Sequence, residues 1–449
     1  MTKSPGAASA PARRPLGAAL LVVSVAAMGF NLRAAITSLP PVFPELQARL
    51  GLSAAEVSVL ASTPVLCFGV VSGVAAWLSR RAGEERVLLA ALAALSCGLL
   101  LRGALPGMML FPGTVLASAA IAVMNVLLSS MIKRRWPERA GLLIGIYLTF
   151  LSVGAVLGSL VSVPLYNASG GSVALTLGLW GLPAIAAMLV WLSQARYGPP
   201  ARKRPPSPAA GPLAAGPLAA GVPAAGVPAR AESRRARRAQ GARAPLYRHA
   251  LAWQVMAFMG LQSLLYYSTL SWLPELFRDR GATPVAAGDL LALMGFGNLV
   301  TSLVIPVLAH RVTDQRILAV PTVLVTMTGI AGSLYAPLGT AAVWMLALGM
   351  SQGSALGLAI FFTVARSPDP VTAASLSAFA QALGYLLATA GPLAVGFLHT
   401  LTRSWNLPVL VMLALGGAEA AAGWLAARPK VLPAARVPRG DSGVPVGSG

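Results

Sequence analysis

Apolar residues run along this chain in twelve long blocks with hardly a charge inside them. The first is Leu16–Leu39. The next five are roughly 57–78, 87–105, 109–132, 141–165 and 172–194. After a long polar insert come roughly 251–273, 285–309, 317–336, 340–365, 375–399 and 405–427. Each is near the ~20 residues a helix needs to cross ~30 Å of hydrocarbon. The pattern predicts an all-α membrane protein with spans 1–6 in residues 16–195 and spans 7–12 in residues 251–427. The first block is too long for a signal-peptide core and no clean cleavage site follows, so it reads as a retained span.

The charges orient the spans. With the N-tail (1–15) inside, the inner segments are that tail, the loops Ser79–Arg86, Lys133–Arg139, His310–Arg316 and Arg366–Asp369, the 196–250 insert and the 428–449 tail. They hold all of the 34 Lys and Arg except Arg33, Arg49, Arg102, Arg278, Arg280 and Arg403. Basic residues stay on the cytoplasmic side of a membrane. Both termini are therefore expected in the cytoplasm, with the chain multi-pass in the plasma (inner) membrane.

The insert has its own grammar. Ala209–Pro228 reads AAGPL, AAGPL, AAGVP, AAGVP, flanked by Arg202-Lys203-Arg204 and by Arg234, Arg235, Arg237 and Arg238. A Pro/Ala/Gly repeat has no apolar periodicity and cannot build a core, so it reads as a disordered cytoplasmic linker. Its basic flanks suit anionic headgroups.

Composition agrees. Hydrophobic residues make up 56 % of 449 and charged residues 10 %, with a mean hydropathy of +0.72. About 25 % charge is usual in soluble domains. A soluble enzyme, a disulfide scaffold and a disordered regulator are excluded. A net charge of +21 would suggest nucleic acid, but its placement is topological. Cys67 and Cys97 lie in apolar blocks and read as packing residues. No metal-ligand spacing, catalytic triad or phosphate loop stands out, so no cofactor or metal is expected.

An ionisable group inside a span is expensive and thus a functional candidate. Arg33 lies about two-thirds along span 1 and stays charged. No acid occurs in the interior of any first-half span. Arg33 then faces a watery cavity, a carbonyl cluster or an anion; the alternative is snorkelling to the outer interface from near Pro40. Asn31, Thr37 and Ser38 beside it favour the cavity. Arg102, next to Leu105-Pro106-Gly107, is read as snorkelling. Asp289 is read as a helix cap and Glu419 as a solvated or paired rim residue, although either could take a proton. Polar stripes recur at helical spacing: Ser118, Asn125 and Ser129 in span 4; Gln262, Tyr266 and Thr269 in span 7, with Tyr267 and Trp272 nearby; Asn298, Thr301 and Ser302 in span 8; Ser377, Gln381 and Tyr385 in span 11. A lone Ser or Thr usually only bonds a neighbouring helix. Asn125, Gln262 and Gln381 carry more donors and acceptors than one neighbour satisfies, and with Tyr266 they read as a pore lining. Gly154 and Gly158, and Gly384, Gly391-Pro392 and Gly396, mark close helix contacts.

Four stretches make the sequence resemble a known family: NLRAAITSLPPVFPEL (31–46), IAVMNVLLSSMIKRRWPERAGLLIGIYLTFLSVGA (121–155), WQVMAFMGLQSLLYYSTLSWLPELFRDRG (253–281) and FAQALGYLLATAGPLAVGFLH (379–399). With them the chain is similar to the major facilitator superfamily, and within it to the cyanate/2-nitroimidazole transporters. That resemblance implies two six-helix bundles around a central cavity lined by spans 1, 4, 7 and 10, which adds weight to Arg33, Asn125 and Gln262 and subtracts from Arg102; with Asn31, Tyr266, Gln381 and Tyr385, read from their own polar positions, these three make up the substrate-binding candidates. It also implies a gating loop after span 2. Where the superfamily has an acid and then R-x-G-R-R, this chain has Arg80-Arg81-Ala82-Gly83-Glu84-Glu85-Arg86, so Arg81, Gly83, Arg86, Arg135 and Arg139 are the gating candidates, with charge pairing rewired. Thr400 stands where relatives often carry Asp.

The leading functional expectation is a secondary transporter of a small solute. A buried arginine without an acid favours an anion or a strongly polarised solute, cyanate-like or a small organic acid, with a proton as the candidate coupling ion. The alternatives are multidrug or nitroaromatic efflux, with span 7 aromatics stacking the ligand, and a non-transporting membrane sensor or scaffold. The partners expected are the solute and the lipid bilayer, with no nucleic acid, and the chain is expected to be a monomer.

Overall fold

The computed structural model describes residues 15–197 and 246–433. The repeats of the insert and most of both tails lie outside these. The described chain is helical. Span 1 is Pro15–Thr37, followed by a short turn at Pro40–Val42 and a helix at Phe43–Leu50. Gly51, at φ 66°, ends that helix in the left-handed conformation glycine adopts freely. Ser53 and Glu56 then form a reciprocal capping box that starts span 2, Ala54–Ala82. Spans 3, 4 and 5 are Glu84–Ala104, Pro106–Arg135 and Ala140–Ala168. Span 6 is in two pieces, Val173–Leu179 and Gly181–Tyr197, where one unbroken block is expected from the sequence.

In the second half, spans 7, 8 and 9 are Ala250–Asp279, Pro284–Arg311 and Arg316–Tyr335. Spans 10, 11 and 12 are Ala341–Ala365, Pro370–Thr402 and Asn406–Ala426. Among the described residues, eleven segments are long and apolar enough to cross a membrane. Span 7 brings the number to twelve. It has the length, at 30 residues, but Gln262, Ser263, Ser268, Thr269 and Ser271 dilute its hydropathy, and all five are buried in protein. A span that polar is tolerated because protein, not lipid, surrounds it.

The packing repeats between the halves. In the first, span 1 packs on 5 and 6, span 2 on 4, and span 3 on 4 and 6. In the second, span 7 packs on 11 and 12, span 8 on 10, and span 9 on 10 and 12. Adding six to each number turns one set into the other. The halves meet where span 2 lies against span 11 and span 5 against span 8. Small residues allow the close crossings: a Cβ on Gly154 of span 5 would sit 2.1 Å from the Phe30 carbonyl oxygen of span 1, and one on Gly349 of span 10 would sit 2.0 Å from the Met294 oxygen of span 8.

Three polar readings are corrected by this packing. Arg102 does not snorkel: it is 1 % exposed and donates to the Ala35 oxygen (3.3 Å) and Ser38 Oγ (3.5 Å). It satisfies the Ala35 carbonyl and the Ser38 hydroxyl at the end of span 1, where the helix dipole favours a cation. Glu419 is no rim residue: it is 1 % exposed and neither carboxylate oxygen has a hydrogen-bond partner among the described residues. Asp289 caps nothing. Span 8 starts at Pro284 with Thr283 as its cap, accepting from the Ala286 amide at 3.2 Å, and Asp289 is exposed within the helix. Arg366, at the start of an inner loop as the sequence places it, is buried and donates to the carbonyls of Ala426 and Ala427, each at 2.9 Å, closing the end of span 12.

The face holding the start of span 1 and the end of span 12 is called the tail face below, and its opposite the far face.

Candidate functional site in the centre of the bundle

Span 1 brings Arg33 to the seam between the halves. The reason is its packing: Asn31, two residues earlier, turns the other way and donates to the Pro183 oxygen of span 6 at 3.0 Å and to the Ala27 oxygen at 2.8 Å. Thr37, one turn later, donates to the Ala155 oxygen of span 5 at 3.0 Å. With those contacts inside its own half, the helix presents position 33 to the other half.

There Arg33 meets aromatic rings. Its guanidinium carbon lies 5.6 Å from the Tyr266 ring centre and 5.9 Å from that of Tyr267. The two tyrosines are edge-on to each other at 5.1 Å. Phe68 of span 2 stands 6.5 Å from Tyr267 and 5.8 Å from Tyr385 of span 11. Tyr147 and Tyr385 also lie within electrostatic reach of the guanidinium. Tyr147 donates to Asn125 Oδ1 at 2.8 Å, joining span 5 to span 4 behind the site. Ring faces attract a desolvated cation by about 2 kcal/mol or more. They supply no acceptor as strong as a carboxylate, and Nη1 of Arg33 is buried without a hydrogen-bond partner.

A cavity of about 40 Å³ opens beside this group. Arg33, Ser152, Tyr266, Asn298 and Ser302 give it a polar side; Leu148, Leu151, Leu299, Leu303 and Leu356 give it an apolar one. Its walls come from spans 1 and 5 of one half and spans 7, 8 and 10 of the other. A charged donor with spare valence, flanked by π faces and hydroxyls, can bind a small anion or a strongly polarised group.

The structure therefore brings together Arg33, Tyr266 and Tyr385 of the sequence candidates, with Asn125 one hydrogen bond behind. It does not bring in the others. Asn31 faces span 6. Gln262 spends its amide on the Met259 oxygen (3.2 Å) and Ser263 Oγ (2.6 Å) of its own helix. Gln381 likewise donates to Ser377 Oγ at 2.8 Å. Sequence reasoning missed Tyr147 and Phe68 altogether and did not single out Tyr267, Ser152 or Asn298 as site residues. Tyr147 had a usable signal, a polar aromatic two turns into a Gly-rich span; Phe68 had none.

The gating candidates lie at the tail face. Gly83, at φ 83°, makes the sharp turn between spans 2 and 3. Arg81 stacks on Trp77 at 4.3 Å. Glu84 and Glu85, the residues that depart from the superfamily pattern, pair with Arg134 and Arg135 at the end of span 4. Both pairs stay within the first half. Arg86 and Arg139 are exposed.

Comparison with known proteins agrees with this architecture. The chain is 35 % identical to an uncharacterized transporter, YycB, of Bacillus subtilis (strain 168), over 92 % of this chain and 94 % of that one. It is 31 % identical to the 2-nitroimidazole transporter of Escherichia coli (strain K12), over 92 % and 96 %. It is 25 % identical to the cyanate transport protein CynX of the same organism, over 84 % and 89 %. In fold it matches a bacterial homolog of the human lysosomal transporter Spinster, crystallised inward-facing and unoccupied, with a TM-score of 0.73 at 16 % identity over 93 % and 98 % of the two chains. The profile of the Major Facilitator Superfamily matches residues 19–392. Twelve spans in two repeated bundles, a polar site at their seam and these relatives together place the chain in the Major Facilitator Superfamily, among the cyanate- and 2-nitroimidazole-transporter-like members.

Proposed function

We propose that this transporter moves a small anionic or strongly polar solute by alternating access, with Arg33 as the group that binds it. The observation that carries the reading is Arg33 itself: a guanidinium at the seam of the halves, lining a cavity, ringed by tyrosines and left with an unpartnered Nη1. A charge so placed attracts an anion far more strongly than it would in water. Its planar fork suits a carboxylate or a linear anion such as cyanate. On this reading the tail face is cytoplasmic, as the basic loops indicate. The 196–250 insert then tethers the two bundles on that side.

The aromatic wall of Tyr266, Tyr267, Tyr385 and Phe68 favours a second reading, efflux of a nitroaromatic solute stacked between rings. Purified protein in liposomes separates the two. Uptake and efflux of small anions and of nitroimidazoles are measured with and without a proton gradient. Saturable movement of a small anion supports the first reading; movement of neutral nitroaromatics alone supports the second.

A further inference from the structure

At the far face an ion pair joins the two halves. Glu45 sits on the short helix Phe43–Leu50 that follows span 1, and Arg278 in the last turn of span 7. The contact is bidentate: Nη1 to Oε2 at 2.9 Å and Nη2 to Oε1 at 2.7 Å, with a further donation from Nη1 to the Pro41 oxygen at 3.4 Å. Both side chains are largely covered, at 19 % and 12 % exposure. Fork-to-fork geometry away from bulk water is the strong form of this interaction.

Each partner is anchored to its own half. On the first side, Arg102 holds the carbonyl of Ala35, and Thr37 that of Ala155. On the second, Arg280 donates to the carbonyls of Ser333 and Ala336 at the end of span 9, and Asp279 accepts from the Trp405 ring nitrogen at 2.8 Å. Close backbone approaches lie on the same side of the central cavity: a Cβ on Gly288 of span 8 would sit 3.0 Å from the Ser159 oxygen of span 5. Arg278 is twelve residues on from Tyr266, about 18 Å along the helix. The pair thus stands over the central site as a bond between two separately braced bodies, and the halves cannot part at that face without breaking it.

We propose that Glu45 and Arg278 form the latch of the far-side gate, the pair whose rupture admits solute from that face. This rests on the alternating-access reading, but its test needs no substrate. In a background carrying Cys67→Ser and Cys97→Ser, Ser152→Cys places a reporter on the cavity wall. A membrane-impermeant maleimide is applied from the far face. Glu45→Gln and Arg278→Gln are each expected to raise the labelling rate about tenfold. The exchanged double variant, Glu45→Arg with Arg278→Glu, is expected to return it to within about twofold of the parent. A general loosening of the fold would not be reversed by exchanging the charges. Should the single variants fold poorly, Glu45→Cys with Arg278→Cys, bridged by a short reducible bifunctional thiol reagent, gives the converse: far-side labelling of the reporter is suppressed and returns on reduction. Single variants that label like the parent, an exchange that restores nothing, or a bridged protein that labels freely would each overturn the latch.

Discussion

Gly154 offers a sharp test of the packing that presents Arg33. A methyl group there would lie 2.1 Å from the Phe30 carbonyl oxygen, 2.9 Å from its carbon and 3.1 Å from its Cα. The first is more than an ångström short of ordinary contact, and all three atoms are backbone, so no side-chain rotation relieves the clash. Spans 1 and 5 must separate, and Arg33 is one helical turn from Phe30. Overpacking of this kind costs about 1–3 kcal/mol, and the immovable neighbours put Gly154→Ala at the upper end. Gly141 and Gly145 of the same helix are the controls, since a Cβ on either meets nothing within 4 Å. Thermal unfolding of detergent-purified protein, followed by the monodisperse fraction surviving each temperature, should show a fall of about 5 °C or more for Gly154→Ala. Gly141→Ala and Gly145→Ala should show none. Indistinguishable midpoints for all three would refute the helix crossing as described.

Other expectations follow from the same geometry. Arg102→Gln should lower the thermal midpoint and the yield of folded protein, because the Ala35 carbonyl at the end of span 1 loses its buried donor at about 1–3 kcal/mol; a variant as stable as the parent would contradict the anchoring role. Glu419→Met should leave the midpoint unchanged or raised, since it removes a buried carboxyl that has no partner; a fall of several degrees would show that the carboxyl makes a contact absent here. Deletion of Ala209–Pro228 should leave the transport rate within about twofold, because a tether needs only to span the bundles. Loss of transport at normal expression would instead give the repeats a binding role.

How far the sequence carried depended on whether the deciding contact was local. The spans were legible because the bilayer imposes a length and a polarity on every crossing helix, and even the polar span 7 had enough apolar flank to be read. The start of span 8 was available too: Thr283-Pro284 is a cap followed by a first-turn proline, a stronger signal than Asp289. Arg102 and Glu419 were misread for a common reason. Closeness to a helix end in sequence was taken as closeness to water, but span 1 ends against Arg102 and spans 7 and 9 cover span 12. Neither fact is written near those residues. The site divides likewise. Arg33 stood out because its cost is local. Its partners Tyr147, Tyr267 and Phe68 come from three other helices, and only the assembled halves bring their rings to one point. Gln262 and Gln381 looked like pore lining by valence, yet each finds a partner on its own helix one to four residues away.

The most direct test of the account is the charge at position 33. Transport of a small anion into liposomes is compared for the parent, Arg33→Lys and Arg33→Gln at equal protein insertion. The account predicts that Arg33→Gln abolishes transport while the protein stays folded, and that Arg33→Lys recovers only part of it, because a point charge cannot reproduce the guanidinium fork. Full transport by Arg33→Gln would contradict the account: the solute would then be neutral, and the tyrosines, not the arginine, would hold it.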